Sequence, residues 1–128
     1  MRDFASNVGL TSTLDPAVQA ATIKGAAVSI RDAGKAFALV HTGAIVGAGD
    51  FTAKLQESDT TTDADFTDVG AANLIGTFPA TLLTATVVKV GYIGGKGYLR
   101  TVLTKNGGTS IAASSVIETA ALRARPVA

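Results

Sequence analysis

The chain has 128 residues and a mass of 12.8 kDa, the size of one domain. It has no cysteine, one histidine (His41) and a net charge of +1. That excludes a disulfide framework, a thiolate metal site and a cysteine nucleophile, and it argues against a sequence-independent nucleic-acid binder. Charged residues make up only 16% and tryptophan is absent, so few side chains are available for catalysis, whereas a chain of this length buries about two thirds of its unfolded surface without staples.

The opening Met1-Arg2-Asp3-Phe4 carries an acid and lacks the ~7–15 apolar residues of a signal-peptide core. No stretch approaches the ~18 apolar residues of a membrane span. The expectation is a chain made in a cytoplasm, with no membrane partner.

Residues 1–21 read as an N-terminal arm: Arg2 to Leu14 is polar and weakly patterned, and Asp15-Pro16 is a turn signal. Such a segment is either a frayed end or an arm that docks on a neighbour. Val18 to Ala21 suits the start of a helix or of a strand. From Thr22 short β pieces and turns alternate. Thr22–Lys24 and Ala27–Ile30 are β-like, and Asp32–Lys35 is a turn. Ala36–Thr42 is a strand with Phe37 and Leu39 on one face, and Gly43–Asp50 is loose. Phe51–Glu57 alternates with period two, placing Phe51, Ala53 and Leu55 inward. Ser58–Asp65 is a polar loop, Phe66–Val69 a short return, and Gly70–Phe78 a connection that Pro79 breaks.

Thr86–Tyr92 is a further strand, and Gly94–Gly97 a turn. Tyr98–Thr104 places Leu99, Thr101 and Leu103 on one face and Tyr98, Arg100 and Val102 on the other. Asn106-Gly107-Gly108 is a strong turn signal. Ile111–Glu118 is a last strand, and Ala120–Arg123 suits a helical turn before Pro126. Seven or eight strands without a long amphipathic helix predict an all-β fold, an antiparallel β-sandwich or barrel. Phe51, Leu55, Phe66, Leu99 and Leu103 are expected to share its core.

Four constellations bear on chemistry. Asp59, Asp63, Asp65 and Asp68 supply the carboxylates that a hard cation such as calcium takes, but without the spacing or the glycine of an EF-hand loop, so a solvated loop is the simpler reading. His41 has no second histidine, cysteine or nucleophile elbow to work with and reads as structural. Gly91–Gly97 is glycine-rich, yet Lys96 is followed by Gly97 rather than Ser or Thr and no helix follows, so it reads as a loop between strands and not as a phosphate cradle. Tyr92, Tyr98, Lys89, Lys96 and Arg100 interleave aromatic and basic groups, but two tyrosines on a near-neutral chain make a weak nucleic-acid platform. Tyr98 and Arg100 share a strand face, the guanidinium being free to pair with an acid of the chain or with a neighbouring subunit. No catalytic residue, cofactor or metal ligand is assigned, and the chain is not expected to be an enzyme.

The ordered segments Phe51–Asp59, Asp65–Val69, Leu74–Phe78 and Val88–Arg100 together resemble a family of small virion proteins of tailed bacteriophages, over residues 36–104. The resemblance implies a head or capsid-associated structural protein. The fold it points to is a β-sandwich of jelly-roll type over 22–118, with extended terminal arms at 1–21 and 119–128. The implied function is that of a head decoration (cement) protein on the capsid surface of the virion, binding the phage major capsid protein, self-associating as a homotrimer and taking neither nucleic acid nor membrane as partner. A tail or head–tail joining protein and a carbohydrate-binding host-attachment module are the alternatives, the second weakened by the shortage of aromatic stacking surfaces. In the decoration reading the interface residues are Arg2, Phe4, Leu10, Leu14, Arg100, Leu122, Arg123 and Arg125. The bulky apolar ones would be wet on a free tail, and guanidinium groups suit carboxylate pairing between subunits.

Overall fold

The computed structural model describes residues 3–120. Ten strands follow one another: β1 (Val8–Gln19), β2 (Ile23–Lys24), β3 (Val28–Ser29), β4 (Lys35–Val46), β5 (Asp50–Ser58), β6 (Thr67–Asp68), β7 (Leu74–Ile75), β8 (Val87–Tyr92), β9 (Tyr98–Gly107) and β10 (Ser110–Ala120). Three short 3-10 turns, at Ala5–Asn7, Asp63–Asp65 and Ala71–Asn73, are the helical pieces among the described residues. No helix among these residues is long and apolar enough to cross a membrane.

The strands form two antiparallel sheets. One has the order β1-β10-β4-β8-β7; the other runs β2-β9-β5-β6, with β3 also on β9. The pairing is nested: β1 pairs β10, β2 and β3 pair β9, β4 pairs β8, and β5 pairs β6. A long antiparallel ribbon folded back on itself gives that nesting, and rolling the ribbon adds the β4–β10 and β5–β9 contacts. This is the jelly roll of two Greek keys, so the expected fold class is the observed one.

The rolling happens at a corner. β4 and β10 lie side by side up to Val46 opposite Ser110, and the same two chains resume in the other sheet at Asp50 opposite Gly107. Gly47 (φ +58°) and Ala48 (φ +54°) turn one chain, Gly108 (φ +71°) the other. The Thr109 N–H donates to the Gly47 carbonyl at 3.2 Å, tying the two turns together. A Cβ at Gly108 would strike the Ala48 carbonyl, so both the positive φ and the close approach require glycine there.

Between the sheets lie two apolar clusters. One, toward the corner, contains Leu14, Val40, Phe51, Ala53, Leu82, Leu103, Ile111 and Ala113. The other contains Val28, Ile30, Ala38, Leu55, Val69, Tyr92, Leu99 and Ile117. Two hydroxyls stand in the interior with them. Ser115 and Thr101, both fully buried, place their oxygens 2.8 Å apart, and Ser115 Oγ is also 3.0 Å from the Leu39 carbonyl. The Thr101 N–H donates to Thr13 Oγ1 at 3.3 Å, and the Thr13 hydroxyl donates to the Ala26 carbonyl at 2.7 Å. Gly25 lies against this group, where a Cβ would meet Thr13 Oγ1 and the Thr101 carbonyl.

The structure corrects several expectations. The N-terminal arm of residues 1–21 is mostly strand: β1 pairs with β10 from Val8 to Gln19, and Leu14, expected at an interface, is a core residue at 3% exposure. Register shifts at Ser12/Leu14 and Leu14/Ala17 break the period-two pattern there, which is why the sequence looked unpatterned. The loose Gly43–Asp50 segment carries β4 on to Val46. Asn106-Gly107 stays within β9, and the turn falls at Gly108-Thr109. Thr119 and Ala120 end β10 rather than beginning an arm or a helical turn. Of the expected common core, Phe51 and Leu103 lie in one cluster and Leu55 and Leu99 in the other, while Phe66 belongs to neither. Arg2, Leu122, Arg123, Arg125 and the rest of 121–128 lie outside the described residues.

Two predictions follow from this packing. Deleting residues 1–14 removes Thr13 and Leu14 and bares half of β10, so the truncated chain loses its cooperative thermal transition in calorimetry. Ser115→Ala strands the buried Thr101 hydroxyl and costs about 1–3 kcal/mol, whereas Ser115→Ala with Thr101→Val removes both partners and recovers most of that loss; urea unfolding of the two variants measures the difference.

Candidate functional site

The two sheets turn very different outer faces to solvent, and each face follows from strand register. On the β2-β9-β5-β6 sheet the outward side chains are Lys24, Thr52, Lys54, Gln56, Asp68, Tyr98 and Arg100, interleaved with the inward Leu55, Leu99 and Leu103. Arg100 organises this face. It sits across from Gln56, whose Oε1 accepts from Arg100 Nε at 2.9 Å, and its Nη1 donates to Asp63 Oδ1 at 2.6 Å. Its guanidinium lies 4.1 Å from the centre of the Phe66 ring. Phe66 is therefore buried on the outside of the sheet, as the lid over a cation, which explains its absence from the interior clusters. A stacked, ion-paired guanidinium tolerates this burial because its charge is diffuse and weakly hydrated. Arg100 is only 5% exposed, so its partners are an acid and an aromatic of its own chain and not a neighbouring subunit.

The aspartates of the 59–68 loop are parted, each with its own donors. Asp59 pairs with Lys96 at 2.9 Å, Asp63 with Arg100 and with Lys24 at 3.1 Å, and Asp68 with Lys54 at 3.1 Å; Asp65 accepts from the Thr60 hydroxyl at 2.6 Å. Among the described residues no three metal-ligating side chains gather. Donors hold the carboxyls below their ordinary range: the Lys96 ammonium for Asp59, the Arg100 guanidinium and then Lys24 for Asp63, the Gln56 amide and then Lys54 for Asp68. Nearby, the Tyr92 hydroxyl donates to Glu57 at 2.5 Å and accepts from the Lys96 N–H at 3.0 Å. Burial, and then the Glu57 bond, push the Tyr92 pKa up to about 12. The loop is thus bolted to the sheet rather than merely solvated.

The outer face of the β1-β10-β4-β8-β7 sheet is the opposite. In β4 the inward side chains are the small Ala38 and Val40, so the bulkier Phe37 and Leu39 point outward. Register then lays Leu10 (β1), Glu118 (β10), Phe37 (β4), Gly91 (β8) and Ile75 (β7) in one row across the sheet. The next row holds Ser12, Val116, Leu39 and Lys89, and the one after it Ser114, His41 and Val87. Leu10 (67%), Ile75 (60%) and Val87 (59%) are well exposed here, with Val18 (68%) at the far end of β1. A trough of about 1290 Å³ lies beside Gly91, between Phe37 and Ile75 on the sheet and rimmed by the Arg31–Gly34 turn and the Ile93–Gly97 loop; Ile75 itself leans over the glycine, where a Cβ would meet its side chain. His41 is exposed on this face, within β4 rather than at a strand end.

Of the expected interface residues, Leu10 is exposed on this apolar face and Phe4 is exposed beside it in sequence, just ahead of β1. Leu14 is in the interior, and Arg100 is buried under Phe66 on the outer face of the other sheet. Sequence reasoning missed Ile75, Val87, Lys89, Glu118 and the Gly91 trough as members of one surface. Their common signal, an outward parity on strands whose inward residues are small, becomes readable only once the pairing is known.

No protein-family model matches the chain, and no curated protein matches it. Among solved structures, a chain in the structure of infectious bursal disease virus, Gx strain, aligns with 87% of this chain at 17% identity and a TM-score of 0.44. This chain spans 32% of the length of that one. The jelly roll assigned above stands on the strand pairings alone.

Acid stability tests the bolted loop. Asp59, Asp63 and Asp68 titrate below 3.8 when folded, so the folded chain holds fewer protons than the unfolded one. The stability they contribute is complete above 3.8 and is lost as pH falls through their folded values. Asp63→Asn flattens that acid limb in a series of urea unfolding curves, and leaves the dependence above pH ~6 unchanged.

Proposed function

We propose that the chain is a structural subunit of a virus particle, acting by packing against other protein surfaces, and more specifically a decoration protein on the head of a tailed phage. The observation that carries this reading is the contrast between its two outer faces. One is closed by Arg100, Phe66 and a set of ion pairs; the other leaves Leu10, Phe37, Leu39, Ile75 and Val87 on an open sheet. Monomeric proteins rarely expose contiguous apolar patches larger than a few hundred Å², and larger ones mark interaction sites. A rigid β slab with one polar and one apolar face suits a shell component, which must present one side to water and another to a neighbour.

The work of such a subunit is binding, not catalysis. Each copy would bridge shell subunits and raise the free energy of pulling them apart. The resemblance of residues 36–104 to small phage virion proteins supports the same reading. The exposed Phe4, ahead of β1, offers a further apolar contact at the edge of the slab.

Electron cryo-microscopy of intact particles assembled with and without the protein tests this. The expected result is density of jelly-roll size on the outer capsid surface, missing from particles that lack the protein, whose shells then open at a lower temperature. Density confined to the tail or the head–tail joint would move the protein to another virion part, and particles with no density for it would overturn the reading.

A further inference from the structure

We infer that the outer face of the β1-β10-β4-β8-β7 sheet is covered by the same face of a second copy, about a two-fold axis running along β4. The inference concerns the free protein in solution and does not depend on the virion reading; a shell surface binding the same face would have to displace the second copy. It starts from the order of strands: β4 is central, with β10 and β8 on its two sides and β1 and β7 at the edges. A two-fold along β4, lying between two such faces, exchanges the sides. It sets the partner's β10 over β8 and the partner's β1 over β7, and leaves each row at its own height.

Register then fixes what meets what. Glu118, Phe37, Gly91, Ile75 and Leu10 share one row. The partner copy's Glu118 therefore comes down over Gly91, beside the trough and one row from Lys89. The partner copy's Leu10 comes down on Ile75, and Phe37 and Leu39 meet their own counterparts on the axis. Each contact off the axis occurs twice. Among the described residues neither Glu118 nor Lys89 has an ion-pair partner within the chain. The two most exposed apolar residues of the row, Leu10 and Ile75, are the pair brought together. Self-complementarity of this kind is what an isologous interface requires.

The size is adequate. Five strands about 4.8 Å apart and four outward rows about 6.8 Å apart span roughly 24 by 27 Å. With the short β7 trimming one corner, each copy covers on the order of 600 Å², or about 1,200 Å² in total, at the lower edge of specific stable interfaces. The expected association is weak and reversible.

Charge reversal gives the test, read as mass by sedimentation equilibrium on the full chain. The wild type sediments as a monomer–dimer equilibrium. Glu118→Lys sets like charges against each other twice, as does Lys89→Glu, and each variant alone weakens dimerisation by at least about tenfold. Mixed in equal amounts, the two variants restore both opposite-charge contacts and form a heterodimer near wild-type affinity. Both sites are on the surface, so thermal unfolding of either variant should match the wild type; should one fail to fold, Ile75→Glu replaces it and is expected to be monomeric. A wild type that stays monomeric or forms a trimer overturns the inference, as do single variants that dimerise undiminished. Variants that are monomeric alone and remain so when mixed overturn it as well.

Discussion

At Val46–Asp50 and Gly107–Ser110 two neighbouring chains turn a corner together, and every other pairing is placed by that turn. A sheet curls over its own apolar side only where the backbone bends sharply, and adjacent strands must bend at the same level or lose their ladder. Here Gly47, Ala48 and Gly108 supply the positive φ values, and the Thr109 N–H to Gly47 carbonyl bond locks the two bends in step. With β4 and β10 in one sheet and β5 and β9 in the other, the ribbon ends have no choice of position. β1 must lie outside β10, β8 outside β4, and β6 outside β5.

The rolled ribbon also decides which side chains have to be small. Space between the sheets is taken by Phe51, Leu55, Leu82, Leu99, Leu103, Ile111 and Ile117. Opposite that bulk, β4 contributes Ala38 and Val40 inward, and sends Phe37 and Leu39 out. The apolar outer face is thus a consequence of interior packing, and the second sheet shows what the alternative costs. There the outward Arg100 is buried only with an aromatic lid, the Gln56 amide and the Asp63 carboxylate as its partners. The interior tolerates the Thr101–Ser115 hydroxyl pair because each oxygen finds a partner within the two sheets.

The virion reading and the two-fold contact draw on different properties of that apolar face. The first needs only that it be exposed and contiguous. The second needs Glu118 on one side of β4 and, on the other, Gly91 in the same row and Lys89 in the next. An isologous pair of slabs, joined through their apolar faces, would turn both polar faces outward, each carrying the 59–68 loop fixed by Asp59, Asp63 and Asp68.

The sequence by itself determined the fold class, the strands from Thr22 onward apart from the short β7, which it read as a connection, and the inward set of the cleanly alternating ones. Phe51, Ala53 and Leu55 on β5, and Leu99, Thr101 and Leu103 on β9, are legible because period two is a local property. It could not show β1, because two register shifts erase the alternation between Ser12 and Ala17. Nor could it show which side of β4 is inside, since both alternating sets are apolar and local pattern has no sign. It marked Arg100 as a cation seeking an acid, but Asp63 lies 37 residues away and reaches it only through the folded loop. The outer surface was the least legible feature. Leu10, Glu118, Phe37, Gly91 and Ile75 come from five strands spread over the chain, and only the pairing of those strands, set by the corner, puts them in one row.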